Sequence, residues 1–360
     1  MKTKPNRLIS IVYSILTTAF IFTSCSTPSS TDSQFLTRGV ILDVNDLSTV
    51  DWPKKAKEAG LTTLATHITP SQVEEFIQSE RGQKFLEECK AHGIEVEHEL
   101  HALGDLLPRG LFAEDSTMFR MNEHGKRVAD YNLCVHSDKA IQTVCQNAVR
   151  YSKILKSTTG RYFYWIDDGR PMCRCPKCSE YSDSEQALIL ENAMVKALRE
   201  QVDPNAMLAH LAYVTTLEAP RKVKPEEGIF LEFAPIYRRW DKSLLDTATT
   251  GWNKGQTITH GQHLKYLDDN LKVFPAETAQ VLEYWLDVSL QSGWKKPAKA
   301  LDWHPQVMQE DLDIYSQRGI RHVTSFAVYI DDEYIRNHGD ITFVNEYGKI
   351  LKDYPRTQKP

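Results

Sequence analysis

The chain has 360 residues, a net charge of -5, and 7 Trp, 15 Tyr and 13 Phe. Core size is not limiting, because α/β barrels often run to roughly 250 residues or more as one unit. The acidic balance and the lack of any basic helix argue against nucleic acid as a partner and against binding at anionic lipid heads.

Lys2, Lys4 and Arg7 precede an apolar run from Leu8 to Phe22 broken only by Ser14, Thr17 and Thr18. The run is too short for a permanent span and reads as a signal peptide over residues 1–24. Phe22-Thr-Ser-Cys25 resembles a bacterial lipobox, with Phe22 where Leu is commoner. In that reading Cys25 is the lipidated first residue of the mature chain, and residues 25–37 are a Ser/Thr-rich tether. Acyl chains at about 0.8 kcal/mol per buried methylene would hold it at the cell envelope, the anchor being its one membrane contact. The alternative is an ordinary cleaved signal with a chance cysteine. Loss of three cations and no acid before Cys25 takes the net charge to -8.

From residue 38 to 360 the chain alternates β-rich runs with helical stretches and shows no long Pro/Gly linker. The runs are Gly39 to Val44, Leu61 to Ile68, Ile94 to Ala102, Arg161 to Asp167, Met207 to Tyr213, Gly228 to Pro235, Thr278 to Leu286 and His322 to Ile330. Eight βα units predict an α/β fold, a single-domain (β/α)8 TIM barrel. Helices are expected over Ser71 to His92, from a Ser182–Glu185 capping box to about Gln201, and over His260 to Val273, His304 to Arg318 and Asn337 to Lys352. The fifth connection, Thr215 to Lys224, is weakly helical.

Chemistry in such barrels gathers at the C-terminal strand ends. That rule selects Asp43, His67, Glu99, His101, Asp167, Asp168, Tyr213, Glu232, Glu283, Tyr284, Trp285 and Asp287. Along Ile94 to His101 the residues Glu95, Glu97, Glu99 and His101 share one face, expected to point inward. Glu95 and Glu97, low in the barrel, are expected to meet Arg or Lys. Asp167-Asp168-Gly169 ends the fourth run with two carboxylates on opposite faces. Glycosidic hydrolysis needs an acid to protonate the leaving oxygen and a second carboxylate as nucleophile or base. Asp168 is expected as the acid and Glu283 as its partner, with Glu232 in reserve for either role. His101, Glu99, Tyr213, Arg238, Tyr284 and Trp285 would orient the sugar. The competing reading of Glu232 and Glu283 is a buried salt bridge to Arg238 or Arg239.

Cys173-x-Cys175-x-x-Cys178 follows within ten residues of Asp168. Those thiols, with Cys134 or a histidine, offer a closed tetrahedral set for a structural zinc. Disulfides, for example from Cys134 to one of the three, or free thiols are the alternatives in an oxidising compartment. Catalysis by the carboxylates requires no cofactor.

His101-Ala-Leu-Gly-Asp-Leu-Leu-Pro-Arg109, Phe119-Arg-Met-Asn, Asp130-Tyr-Asn-Leu-Cys134 with Ser137, and Trp165-Ile-Asp-Asp-Gly169 leading into the cysteines resemble an uncharacterised bacterial family. That family is described as a glycoside-hydrolase-like domain of unknown function, distantly similar to α-glucuronidase and hexosaminidase barrels. The resemblance runs from about Ile94 to Ile330 and implies a barrel acting on carbohydrate. Hexosaminidase-type barrels carry Asp-Glu after the fourth strand where this chain has Asp167-Asp168. The expectation is therefore a lipid-anchored glycoside hydrolase. A glycan-binding lipoprotein on the same fold, or a metal-dependent hydrolase using His67, Glu99 and His101, are the other readings.

Overall fold

Each of the eight expected runs contains a strand: β1 Thr37–Asp43, β2 Thr63–His67, β3 Glu95–His101, β4 Arg161–Trp165, β5 Met207–Ala212, β6 Ile229–Phe233, β7 Gln280–Glu283 and β8 His322–Phe326. The strands pair in parallel in chain order, and β8 returns to β1 with Thr37 opposite His322, closing a (β/α)8 barrel. This computed structural model describes residues 33–47, 50–251 and 258–355, besides Met1. The expected signal, Cys25 and the expected tether up to residue 32 lie outside the described residues. Ser33–Pro360 forms one compact unit, and none of the described helices is long and apolar enough to cross a membrane.

Pleat parity divides the core into two layers. Successive side chains on a strand point to opposite faces, so Phe163 and Trp165 of β4 fill the barrel while Tyr162 and Tyr164 pack under the helices. On β7 the same alternation sends Leu282, and Tyr284 just beyond the strand, inward; Val281 and Trp285 go outward. The consequence for Glu283, which lies between Leu282 and Tyr284, is decisive for the site.

Local signals set most helix ends. Ser182 Oγ accepts the Glu185 N–H at 3.2 Å while Glu185 Oε2 accepts the Ser182 N–H at 2.9 Å, and the helix Asp183–Gln201 follows. The later helices His260–Asn270 and Pro305–Gln317 sit within a few residues of expectation, whereas the helix expected over Asn337 to Lys352 starts only at Thr342, because Gly339 at φ 90° ends a separate helix Asp332–His338. The single helix expected over Ser71 to His92 is instead two, Pro70–Gln78 and Glu80–His92. Ser79 breaks it, its Oγ donating to Phe76 O at 2.6 Å and accepting the Gly82 N–H at 3.1 Å. The turn demands glycine three residues on, since a Cβ at Gly82 would meet Phe76 O at 2.0 Å. The fifth crossover carries only a single 3₁₀ turn, Val214–Thr216, tied down by Asn270 Nδ2 donating to Leu217 O at 3.1 Å.

Candidate active site at the barrel mouth

A polar layer fills the barrel below the mouth. Glu97 receives the Thr159 hydroxyl at 2.6 Å and lies 3.8 Å from Arg161 Nε, as expected of an acid low in the barrel. Glu95, by contrast, is exposed at the strand's start and accepts the Thr158 hydroxyl. One layer higher, Gln280 Nε2 donates to Glu99 Oε1 at 3.2 Å and to Glu232 Oε1 at 3.1 Å, and Trp165 Nε1 donates to Glu232 Oε2 at 2.7 Å. Burial, before any charge effect, pushes both Glu99 and Glu232 up. Glu99 rises further because the Glu232 carboxyl is its neighbour. These carboxylates are therefore the floor of the barrel, sealed by Trp165.

Above Trp165 opens a cleft of about 280 Å³ at the C-terminal strand ends, lined by Asp43, His67, His101, Asp168, Tyr213, Tyr284, Asp287, Trp294, Phe326 and Tyr329, among others. Asp168 follows β4 with its side chain 64% exposed; its Oδ1 accepts the Tyr213 hydroxyl at 3.0 Å and lies 3.7 Å from His101 Nε2. His101 Nδ1 is 3.0 Å from Ile166 O, and His67 Nδ1 is 2.5 Å from Glu99 O. A carbonyl only accepts, so each ring carries its proton on Nδ1 and turns Nε2 away from that carbonyl. Burial, then the neighbouring His101, lowers His67 to about 4, so its ring is neutral near pH 7. Asp287, four residues past β7, has only 5% of its surface exposed. Its Oδ1 accepts Ser289 Oγ at 2.6 Å and the Leu290 N–H at 3.1 Å. Burial pushes its carboxyl up to about 6. Both Asp168 and Asp287 act electrostatically on Tyr213 and on Tyr284, whose phenols burial already holds well above their ordinary value.

Among the described residues, the non-glycine positions with positive φ are Asn132 (46°), Val214 (44°), Trp294 (55°) and Tyr329 (69°). All four lie in loops that follow strands β3, β5, β7 and β8. Such a conformation costs on the order of 1–3 kcal/mol and is most unusual for a β-branched residue. Here Val214 follows Tyr213, Trp294 and Tyr329 line the cleft, and Asn132 holds Asp167. The Tyr329 N–H is fixed by Asp46 Oδ2 at 2.5 Å, and Lys296 bridges Asp46 and Asp331.

Of the carboxylates expected to act, only Asp168 reaches the cleft. Glu283 does not: parity turns it outward, where it is 1% exposed and bound to Arg238 Nη1 at 2.8 Å and to the Tyr315 hydroxyl. Arg238 also holds Asp311 at 2.6 Å, and Trp285 Nε1 donates to Asp311 at 3.1 Å. Arg238 and Trp285 thus belong to a buried ion network between barrel and helices and contact no sugar site; for Glu283 the salt-bridge reading holds, with Arg238 as the cation. Glu232 and Glu99 sit in the floor, so neither lines the cleft. Asp167 faces away from Asp168, accepting the Asn132 N–H and the Arg109 guanidinium while its own N–H bonds Asn132 Oδ1 at 3.0 Å. His101, Tyr213 and Tyr284 do line the mouth. His67, Glu99 and His101 do not converge as metal ligands, because the Glu99 carboxylate is bound to Gln280 below. Among the described residues the cysteines alone gather three or more such groups. Trp294, Phe326 and Tyr329 escaped sequence reasoning; Gly293 before Trp294 was the one local hint of a loop turned into the mouth.

Residues 31–350 match a family described as a domain of unknown function, DUF4838. The chain belongs to that family. Comparison of this DUF4838 chain with curated proteins found no match. Among solved structures, it is similar to a glycoside hydrolase family 5 enzyme from Prevotella bryantii in complex with a xyloglucan tetradecasaccharide. That likeness has TM-score 0.51 and 10% identity over 90% of this chain and 99% of that one. It is also similar to a tri-modular family 5 endo-β-1,4-glucanase from Bacillus licheniformis, with TM-score 0.51 and 11% identity, covering 89% of this chain but 60% of that one. At these identities the likeness is one of fold. What the DUF4838 chain shares with these glycoside hydrolases is the (β/α)8 barrel.

Proposed function

We propose that this chain hydrolyses a glycan at the barrel mouth, with Asp168 and Asp287 as the working carboxylates. The carrying observation is one cleft that joins an exposed carboxylate, a buried carboxyl raised to about 6 and an aromatic wall of Trp165, Tyr213, Tyr284 and Trp294. Protonated Asp287 spends Oδ1 on its two acceptor bonds, which leaves Oδ2–H to give its proton to the leaving glycosidic oxygen. Asp168, accessible and held by the Tyr213 hydroxyl, is the nucleophile or the base that activates water. This gives Asp168 the role expected of Glu283 and Asp287 the role expected of Asp168. Tyr213 orients Asp168, and the aromatic rings stack on sugar faces. Carbohydrate bound by the family 5 neighbour supports the substrate class, so xyloglucan and β-1,4-glucan oligosaccharides are the first probes. Release of reducing ends that is abolished in Asp168→Asn and in Asp287→Asn would support the reading; full activity in both would overturn it.

A second reading, glycan binding without turnover, is favoured by one observation: Oδ1 of Asp287 also caps the short helix Val288–Gln291. Oligosaccharide binding by calorimetry with no product from any probe would decide for it. We also propose export and anchoring at the cell envelope through acylated Cys25, which rests on the N-terminal pattern. Cys25→Ser would then move the protein from the membrane fraction to the soluble one.

A further inference from the structure

Four buried cysteines meet beside the β4 loop, and nothing in the proposed chemistry uses them. Cys134 lies on the segment entering the helix Asp138–Ile154; Cys173, Cys175 and Cys178 lie on the loop between β4 and the helix Asp183–Gln201. All four sulfurs lie within 4.8 Å of one another. Cys134 Sγ is 3.8 Å from Cys175 Sγ and 3.7 Å from Cys178 Sγ. A tetrahedron with metal–sulfur bonds of about 2.3 Å has sulfur–sulfur edges of about 3.8 Å. The match is to a metal's coordination shell. A disulfide would draw Cys134 onto one partner and off the other, whereas here it is equidistant from two.

The surroundings are those of thiolates. The Met121 N–H points at Cys173 Sγ at 3.3 Å, the Cys175 N–H at 3.5 Å and Arg127 Nη1 at 3.6 Å. His136 Nδ1 is 3.3 Å from Cys178 Sγ. Four thiolates around a divalent ion leave two negative charges, which the Arg127 guanidinium and these donors offset. The loop is held from behind by Gln186, whose Oε1 accepts the Cys173 N–H at 3.1 Å while Nε2 donates to Cys173 O at 3.1 Å and Cys178 O at 3.2 Å.

We infer that Cys134, Cys173, Cys175 and Cys178 bind one zinc ion, which clamps the β3 loop to the β4 loop. All-sulfur ligation has no open position, so the ion is structural. Asn132 stands two residues before Cys134 and pairs with Asp167 through both its N–H and its Oδ1. The clamp therefore positions the backbone that presents Asp168. The inference stands whether or not the cleft turns glycan over.

The test is elemental analysis of the full-length chain purified without added metal, followed by titration with a mercurial. One zinc per chain, released in step with modification of four thiols, is expected, along with a melting temperature lowered by a strong chelator. Zinc should survive in Cys145→Ser, which lies outside the cluster, and be lost in Cys178→Ser. Should that variant fail to fold, cobalt(II) added to metal-stripped protein must give the intense absorption of a tetrahedral thiolate complex. Metal-free protein whose four thiols alkylate only after reduction would mean disulfides and overturn the inference, as would metal-free protein whose thiols alkylate at once.

Discussion

Asp168 and Glu283 differ in fate because one has left its strand and the other is still held by the pleat of its own. Asp168 stands three residues past β4 and reaches the mouth, whereas Glu283 is the last residue of β7 and is walled in by Arg238 and Tyr315. Asp168→Asn should lower turnover by at least about 100-fold with the fold intact, the range for loss of an acid or base group, checked by initial rates and circular dichroism. Asp287 predicts the pH profile. A general acid raised to about 6 must hold its proton, so kcat/KM should fall as pH rises through about 6, and that limb should vanish in Asp287→Asn. Arg238→Met should act on stability instead. It strips the cation from two buried carboxylates, Glu283 and Asp311, at a cost of about 3–5 kcal/mol in denaturant melts. Asp168 was legible because it follows a hydrophobic strand into a glycine. Glu283 was misplaced because the strand-end rule selects by position along the chain and not by face, and the pleat that turns Leu282 and Tyr284 inward turns Glu283 outward. Of its two holders, Arg238 is a candidate from the sequence alone, whereas Tyr315 comes from a helix some thirty residues on, for which no local pattern speaks.

At the level of elements, turns carry as much as strands. Ser79 and Gly82 split what the apolar spacing paints as one helix, because a serine hydroxyl that bonds both ways ends one turn and begins the next. Gly82→Ala should lower stability by about 1–3 kcal/mol, since the carbonyl it would strike belongs to the backbone and cannot swing aside. The mouth loops behave differently. Trp294 is 55% exposed at φ 55°, so Trp294→Gly relieves the backbone without emptying any core. Thermal stability should hold or rise while oligosaccharide affinity, read by calorimetry, falls several-fold. Periodicity could find the eight strands because each is a short buried run. It could not find Trp294 or Tyr329, since residues forced into left-handed backbone are chosen by the cleft rather than by a repeat.

The whole molecule carries a shared proton load. Asp46 and Asp287 are raised to about 6, and Glu97, Glu99 and Glu232 are raised as well, burial being the first cause in each. Between the unfolded carboxyl range near 4 and those raised values, these groups bind more protons in the folded chain than in the unfolded one. Stability contributed by these groups should therefore be greatest near pH 4 and decline as pH rises through about 6. The buried His67, His98, His263 and His322, lowered to about 3–4, act the opposite way over this window. The carboxyl share is therefore read by difference: relative to the parent chain, Asp287→Asn should shift urea-melt midpoints toward greater stability at pH 7.5 than at pH 5, and an unchanged pH 5 to 7.5 difference would contradict it. The barrel itself was readable from end to end because βα alternation is a global pattern, whereas the floor of Glu99, Glu232 and Gln280 depends on strands that only closure brings together.

Closure also sets an order of events in time. β1 finds its second neighbour only in β8, and Thr37 meets the His322 ring at 2.7 Å across a separation of 285 residues. Until His322 has left the ribosome, one edge of β1 has nothing to pair with, and a bare strand edge recruits other chains. Maturation must then be slow and vulnerable, with sequence-distant pairing as the last act. Yield from cells should depend on a holdase that shields that first strand while most of the chain is still being made.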